Sequence, residues 1–126
     1  MYMTLSVALG GAIGAVGRYW ISSLVYHAVG AAFPWATLTV NVLGSAILGV
    51  LIQLMALVWS PSEPLRALLT VGMLGALTTF STFSLEVVLM LERGDWFNAA
   101  LYIVFSVILC VGAMIGAMAL MKMVLL

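Results

Sequence analysis

Charge is almost missing from this sequence. Its 126 residues hold four basic and four acidic side chains and one histidine, for a formal net charge of zero. Such a chain offers no basic face to nucleic acid and no charge bias toward an anionic lipid surface. Cysteine is nearly missing too. The single Cys110 excludes an intrachain disulfide and a cysteine-held metal, and within Val107-Ile108-Leu109-Cys110-Val111 it reads as a small packing residue. One histidine and one cysteine leave no nucleophile–base pair on which to build an enzyme. What the chain does have is apolar surface. Hydrophobic residues make up 66% of it, and the mean hydropathy of +1.31 excludes an ordinary soluble domain.

Length implies one domain, residues 1–126. A bilayer core takes ~20 residues of helix, and apolar segments of that size run over roughly 5–26, 35–59, 65–91 and 97–121. Short polar breaks separate them, at His27 to Pro34, at Ser60-Pro61-Ser62-Glu63-Pro64 and at Glu92-Arg93-Gly94-Asp95. Trp35, Trp59 and Trp96 fall at the ends of spans, where an aromatic belt is expected. Ser60, Pro61 and Glu63 have the order of a helix cap, a first-turn proline and a capping acid. The first twenty-odd residues do not read as a cleaved leader, because no Lys or Arg precedes the apolar run and Arg18 interrupts it. The expectation is an all-α membrane protein with four transmembrane helices.

Polarity inside the spans is concentrated in one place. Thr78-Thr79-Phe80-Ser81-Thr82-Phe83-Ser84 places five hydroxyls in seven positions, and Glu86 follows. A polar run at that depth is costly unless it faces protein or a water-lined path. Asn41, Glu86 and Tyr102 put one strongly polar group on each of spans two to four, and Arg18 does so on span one. Helical spacing places Thr79, Thr82 and Glu86 on one face, as it does Thr37 with Asn41 and Tyr102 with Ser106. Two readings stay open for the hydroxyls: interhelical glue, or a track for an ion or solute. Asn41 and Glu86 favour the track. Arg18, about a third of a span from its helix end, reads as structural or as a vestibule charge. Hydroxyls and Gly72 and Gly75 weaken the third helix, and a break there would free carbonyls such as those of Gly75 and Thr78 for a hard cation. The alternative is an intact helix with hydroxyls bonded back to it. Phe80 and Phe83, three apart, project from one side, either as packing or as positive ring edges toward an anion.

The loop charges barely set an orientation. Arg66 and Lys122 lie on one side and Arg93 on the other, a difference of about one charge. Either a weak bias suffices, or copies insert both ways and pair antiparallel. Gly10, Gly11, Gly14 and Gly17, and later Gly112, Ala113, Gly116 and Ala117, offer small-residue surfaces for close helix approach. Four short helices enclose little pore alone, so an oligomer is expected.

The segment Gly-x-Leu-Thr-Thr-Phe-Ser-Thr-Phe-Ser-x-Glu, from Gly75 to Glu86, resembles the signature of the CrcB/Fluc family of fluoride channels. Gly10-Gly11-x-x-Gly14-x-x-x-Arg18 is similar to the family's first helix, and Thr39-Val40-Asn41-Val42-Leu43-Gly44 to its second. The resemblance covers the chain in length and four-span layout. It implies a dual-topology antiparallel homodimer in the bacterial cytoplasmic membrane, with a third helix broken mid-membrane and two fluoride pores that export the ion down its gradient. It further implies Phe80 and Phe83 as pore rings, Asn41 as the pore asparagine, and Thr37, Ser81, Thr82, Glu86 and Tyr102 as a polar track. Carbonyls of Gly75 and Thr78 from both copies would hold a structural Na⁺. Ser106 and Arg18 carry over only as vestibule or structural residues. A small dual-topology drug transporter is the rival class. It would need an embedded acid in the first helix, where this chain has Arg18 and no acid before Glu63.

Overall fold

The computed structural model describes Met1–Leu126, and the chain is helical almost throughout, with no strand. Helix α1 runs over Tyr2–Val29 and α2 over Trp35–Leu57. The third span is composite: α3 (Glu63–Arg66), a π-helical stretch (Ala67–Leu74), α4 (Gly75–Leu77) and α5 (Phe80–Glu92). Helix α6 (Trp96–Leu125) closes the chain. Three of these units, Trp35–Leu57, Glu63–Glu92 and Trp96–Leu125, are long and apolar enough to cross a membrane. Helix α1 has the length, 28 residues or roughly 42 Å, but four glycines, Arg18 and His27 dilute its hydropathy.

The helices run past the apolar segments at most ends, since nothing in Tyr2 to Thr4 or Lys122 to Val124 stops a helix once it has formed. The start of the third span is a correction. Ser62, not Ser60, holds the cap position, its side chain makes no cap bond, and Pro64 is the first-turn proline. The sequence there offers two Ser–Pro steps in succession, and local pattern alone does not choose between them. Gly30 and Gly94 take φ of +78° and +77° in the turns that follow α1 and α5, a region closed to most side chains.

Glycine sets how close the helices come. A Cβ on Gly10 or Gly14 would collide with the carbonyl oxygen of Leu68 or Met73, and one on Gly72 would lie 2.6 Å from that of Val7. Helix α1 and the π-helical stretch are therefore pressed backbone to backbone. Gly49 does the same for α2 on α6, with the Met114 carbonyl 2.8 Å from where its Cβ would be. Gly112 and Gly116 meet nothing within the chain. The two glycines of the second small-residue surface are thus open in one copy, while Ala117 beside them packs on Gly49 of α2. Leu38, Phe83, Met90, Ala99 and Tyr102 form a buried cluster joining α2, α5 and α6, with Phe33 against it. That cluster fixes the polar residues described next.

Candidate ion pathway

Two extended residues interrupt the third span. Thr78 (φ −83°, ψ 155°) ends α4, and Thr79 (φ −151°, ψ 117°) precedes α5. In a continuous helix the Thr79 N–H would donate to the Gly75 carbonyl four residues back. Here it donates to Asn41 Oδ1 at 2.7 Å, while Asn41 Nδ2 donates to the Thr79 carbonyl at 3.1 Å. One amide from α2 replaces a rung of the helical ladder, and the Gly75 carbonyl loses its regular partner. An asparagine amide has two N–H donors, so one remains free after this pairing.

Thr79 also caps α5. Its Oγ1 accepts from the Thr82 N–H at 3.2 Å, donates to Thr82 Oγ1 at 3.0 Å and lies 3.3 Å from Ser81 Oγ. This corrects the helical-face reading, in which Thr79 shares a face with Thr82 and Glu86. Thr79 is not helical, because a β-region cap satisfies an orphan N–H that a helical residue would leave open. Two other hydroxyls take the bland role: Thr78 Oγ1 bonds back to Leu74 O at 3.0 Å, and Ser84 Oγ to Phe80 O at 2.9 Å.

One turn further along α5, Glu86 receives hydrogen bonds at both oxygens. Thr37 Oγ1 donates to Oε1 at 2.7 Å and Tyr102 OH to Oε2 at 2.6 Å. Charge-assisted bonds of this kind are the strong ones, and they tie α2, α5 and α6 together at one carboxylate. Tyr102 is fully buried, with Phe83 5.0 Å and Phe33 5.5 Å from it by ring centroid. The Phe80 and Phe83 centroids lie 5.3 Å apart, yet their surroundings differ: Phe83 is 9% exposed and Phe80 78%.

Three clefts meet these residues. A cavity of about 380 Å³ is bordered by Asn41, Phe80, Phe83, Ser106, Gly75 and Thr78. Ser106 is buried there, and its Oγ has no hydrogen-bond partner. A second cleft, about 290 Å³, runs from the turn after α1 and Arg93 to Glu86. A third, about 710 Å³, is lined by Arg18, Ser22, Thr37, Thr79, Thr82 and Glu86. Arg18 therefore faces the same groove as the carboxylate, although Glu86 takes its bonds from hydroxyls. No cluster of His, Cys, Asp and Glu is placed to hold a metal.

The sequence-expected residues fall into one continuous arrangement. Thr37, Glu86 and Tyr102 form one node, Asn41, Ser81 and Thr82 gather round Thr79, and Phe80, Phe83 and Ser106 border the 380 Å³ cavity. Sequence reading missed the hub itself. Thr79 was legible as a cap only if the break was placed at Thr78, with Thr82 three residues on. It also missed Ser45 and Cys110, which border the same cavity.

An all-helical, multi-pass chain with its polar groups collected at a broken span is built as a small membrane transport protein. The chain belongs to the CrcB-like family, described as CrcB-like protein, Camphor Resistance (CrcB), whose profile matches residues 5–118. It is 51% identical over 122 residues to the fluoride-specific ion channel FluC of Rhodospirillum centenum, covering 97% of each chain. The fluoride-specific ion channel FluC of Magnetococcus marinus is 54% identical over 105 residues, 83% of this chain and 85% of its own. That of Nitrobacter winogradskyi is 42% identical over 120 residues, 95% of each. The family is one of ion channels, not of enzymes.

Proposed function

We propose that this chain is a fluoride-selective channel of the bacterial cytoplasmic membrane that lets F⁻ leave down its electrochemical gradient and so lowers cytoplasmic fluoride. The observation that carries the reading is the cavity bordered by Asn41, the two phenyl rings and Ser106, whose buried hydroxyl has no partner. Fluoride is small and strongly hydrated, so a pore must replace water with donors. The spare Asn41 N–H, the Ser106 hydroxyl and the Ser81 and Thr82 hydroxyls are such donors. The positive edges of Phe80 and Phe83 complete the set without a fixed cation that would trap the ion. At the other end, Arg18 and Arg93 border the clefts that reach Glu86, where they would raise the local anion concentration.

The working unit in this reading is an antiparallel homodimer. Phe80, Gly75, Gly112 and Gly116 are exposed in one copy, and the near balance of Arg66 and Lys122 against Arg93 allows both insertions. A two-fold axis would bring the Gly75 and Thr78 carbonyls of two copies together. These oxygens fit a hard cation such as Na⁺: they end a helix, and the Gly75 carbonyl has lost its partner to the Asn41 pairing. When bound, Na⁺ would supply the positive charge that lets converging carbonyl dipoles share one axis.

Efflux from liposomes containing the purified protein, with fluoride and then chloride as the internal anion, tests the reading. Fluoride efflux without chloride efflux is the expected result; equal loss of both anions, or of neither, overturns it. Dimer integrity in Na⁺ against a large organic cation tests the cation assignment separately, since a ligand bound only by the assembled state stabilises it.

A further inference from the structure

Three hydroxyls at the break form a hydrogen-bond chain with one direction. Thr79 Oγ1 donates to Thr82 Oγ1 at 3.0 Å, which commits the only hydrogen it has. The 3.3 Å contact between Thr79 Oγ1 and Ser81 Oγ therefore has Ser81 as its donor. With the Thr82 N–H accepted at 3.2 Å, the hydrogen and both lone pairs of the Thr79 hydroxyl are in use. Thr79 is 8% exposed, and both ends of the Asn41 amide hold its backbone. The order runs from Ser81 to Thr79 to Thr82 and stops there. Thr78 and Ser84 spend their hydrogens on carbonyls one turn back, whereas Thr82 gives its hydrogen to no group in the chain.

Thr82 is exposed and borders the cleft that holds Arg18, while Thr79 borders both that cleft and the cavity with Phe80 and Phe83. The one uncommitted hydrogen thus belongs to a residue on the Arg18 side of the wall that Thr79 makes between the two spaces. A lone hydroxyl can offer an ion either a hydrogen or a lone pair. Here one lone pair of Thr82 is taken by Thr79, and its hydrogen is left for something else. Each bond in such a chain also polarises the next, so the last hydroxyl donates more strongly than it would alone. An anion gains from that order and a cation loses. We propose that Thr79 is a positioning residue for anion passage: it does not touch the ion, and it holds the Thr82 hydroxyl as a donor to it. The proposal rests on the fluoride-channel reading.

Paired substitutions test this by fluoride efflux from liposomes and by unfolding temperature in detergent. Thr82→Val removes the last donor but keeps the backbone N–H that bonds to Thr79, so efflux should fall ~5-fold, within the worth of one hydrogen bond. Its unfolding temperature should barely move. Thr79→Val should lower efflux ~3-fold, and Thr79→Ser, which keeps the hydroxyl, should stay within ~2-fold of wild type. The deciding measurement places Thr79→Val in the Thr82→Val protein. Acting through Thr82, it should change efflux there by less than ~1.5-fold. It should still lower the unfolding temperature, because the cap of α5 is lost in either background. A further ~3-fold loss of efflux would reduce Thr79 to a cap and overturn the proposal. If Thr79→Val does not assemble, Ser81→Ala takes its place, since it removes the start of the same chain and leaves the cap. A loss of ~2-fold that vanishes in the Thr82→Val background supports the chain; no loss, or the same loss in both, overturns it. Wild-type protein that passes no fluoride overturns the channel reading and the proposal with it, whereas a conducting wild type with additive losses overturns the proposal alone.

Discussion

The two ends of the polar arrangement use their polar side chains to opposite effect. At Glu86, both carboxylate oxygens are taken by Thr37 and Tyr102, and three helices are joined. At the cavity, Asn41 keeps an unused N–H, Ser106 has no partner and Phe80 lies open. Buried polar groups are nearly always satisfied, which sets the Ser106 hydroxyl apart from the bonded groups around Glu86. On the proposed reading, the Glu86 end holds structure and the cavity end receives the ion. Function and stability should separate along that line.

The largest effect is expected where the two roles meet. Asn41 holds the break open and offers the spare donor, so Asn41→Asp removes the bond to the Thr79 carbonyl and places a negative charge in an anion path. Leaving a buried partner unsatisfied costs about 1–3 kcal/mol, and the repulsion adds to that at the transport step. Fluoride efflux should fall by about 100-fold or more, equivalent to ~2.7 kcal/mol, with a lowered unfolding temperature. An Asn41→Asp protein that conducts normally would remove Asn41 from both roles.

Next are the rings, and they test the contrast between exposure and burial. Phe80→Ile and Phe83→Ile each remove a positive ring edge while keeping much of the volume, so efflux should drop in both. Only Phe83→Ile should cost stability, up to ~1.5 kcal/mol for a swap of similar volume in a packed site, because only Phe83 is in the buried cluster. Unchanged efflux in both variants would reduce the rings to packing. Tyr102→Phe should then act mainly on structure. Loss of a hydrogen bond to a charged group costs about 1.5–3 kcal/mol, so thermal stability in detergent should fall by more than in Phe80→Ile.

Much of this arrangement could be read from sequence because its periodicity is local. Four apolar segments gave four helices, and the density of hydroxyls around Thr78 marked the weak point of the third. What could not be read depends on partners far along the chain. Asn41 reaches Thr79 across 38 positions, and no window on either residue contains that bond. The π-helical winding of Ala67–Leu74 lies where Gly10 and Gly14 of α1 press on Leu68 and Met73. A strongly apolar run looks the same whether it winds with four or five residues to the hydrogen bond. The same limit hid the cavity beside Cys110, whose other walls are α2 and the broken third span.

The smallest expected effect is the sharpest test, because its two readouts should move in opposite directions. Ser106 sits one turn from Tyr102 on α6, buried, and its hydroxyl has no hydrogen-bond partner within the chain. Replacing an unsatisfied buried hydroxyl by hydrogen removes a desolvation cost of roughly 1–3 kcal/mol and leaves only a small void. Ser106→Ala should therefore be as stable as the wild type, or more so. If the hydroxyl donates to fluoride in transit, the same variant loses one donor of several, worth about 0.5–1.5 kcal/mol for a single hydrogen bond. Efflux should then fall by a few-fold while the unfolding temperature holds or rises. Lower stability with unchanged efflux would show that Ser106 is satisfied in the assembled protein by a partner group, and the cavity end would then be as closed as the Glu86 end.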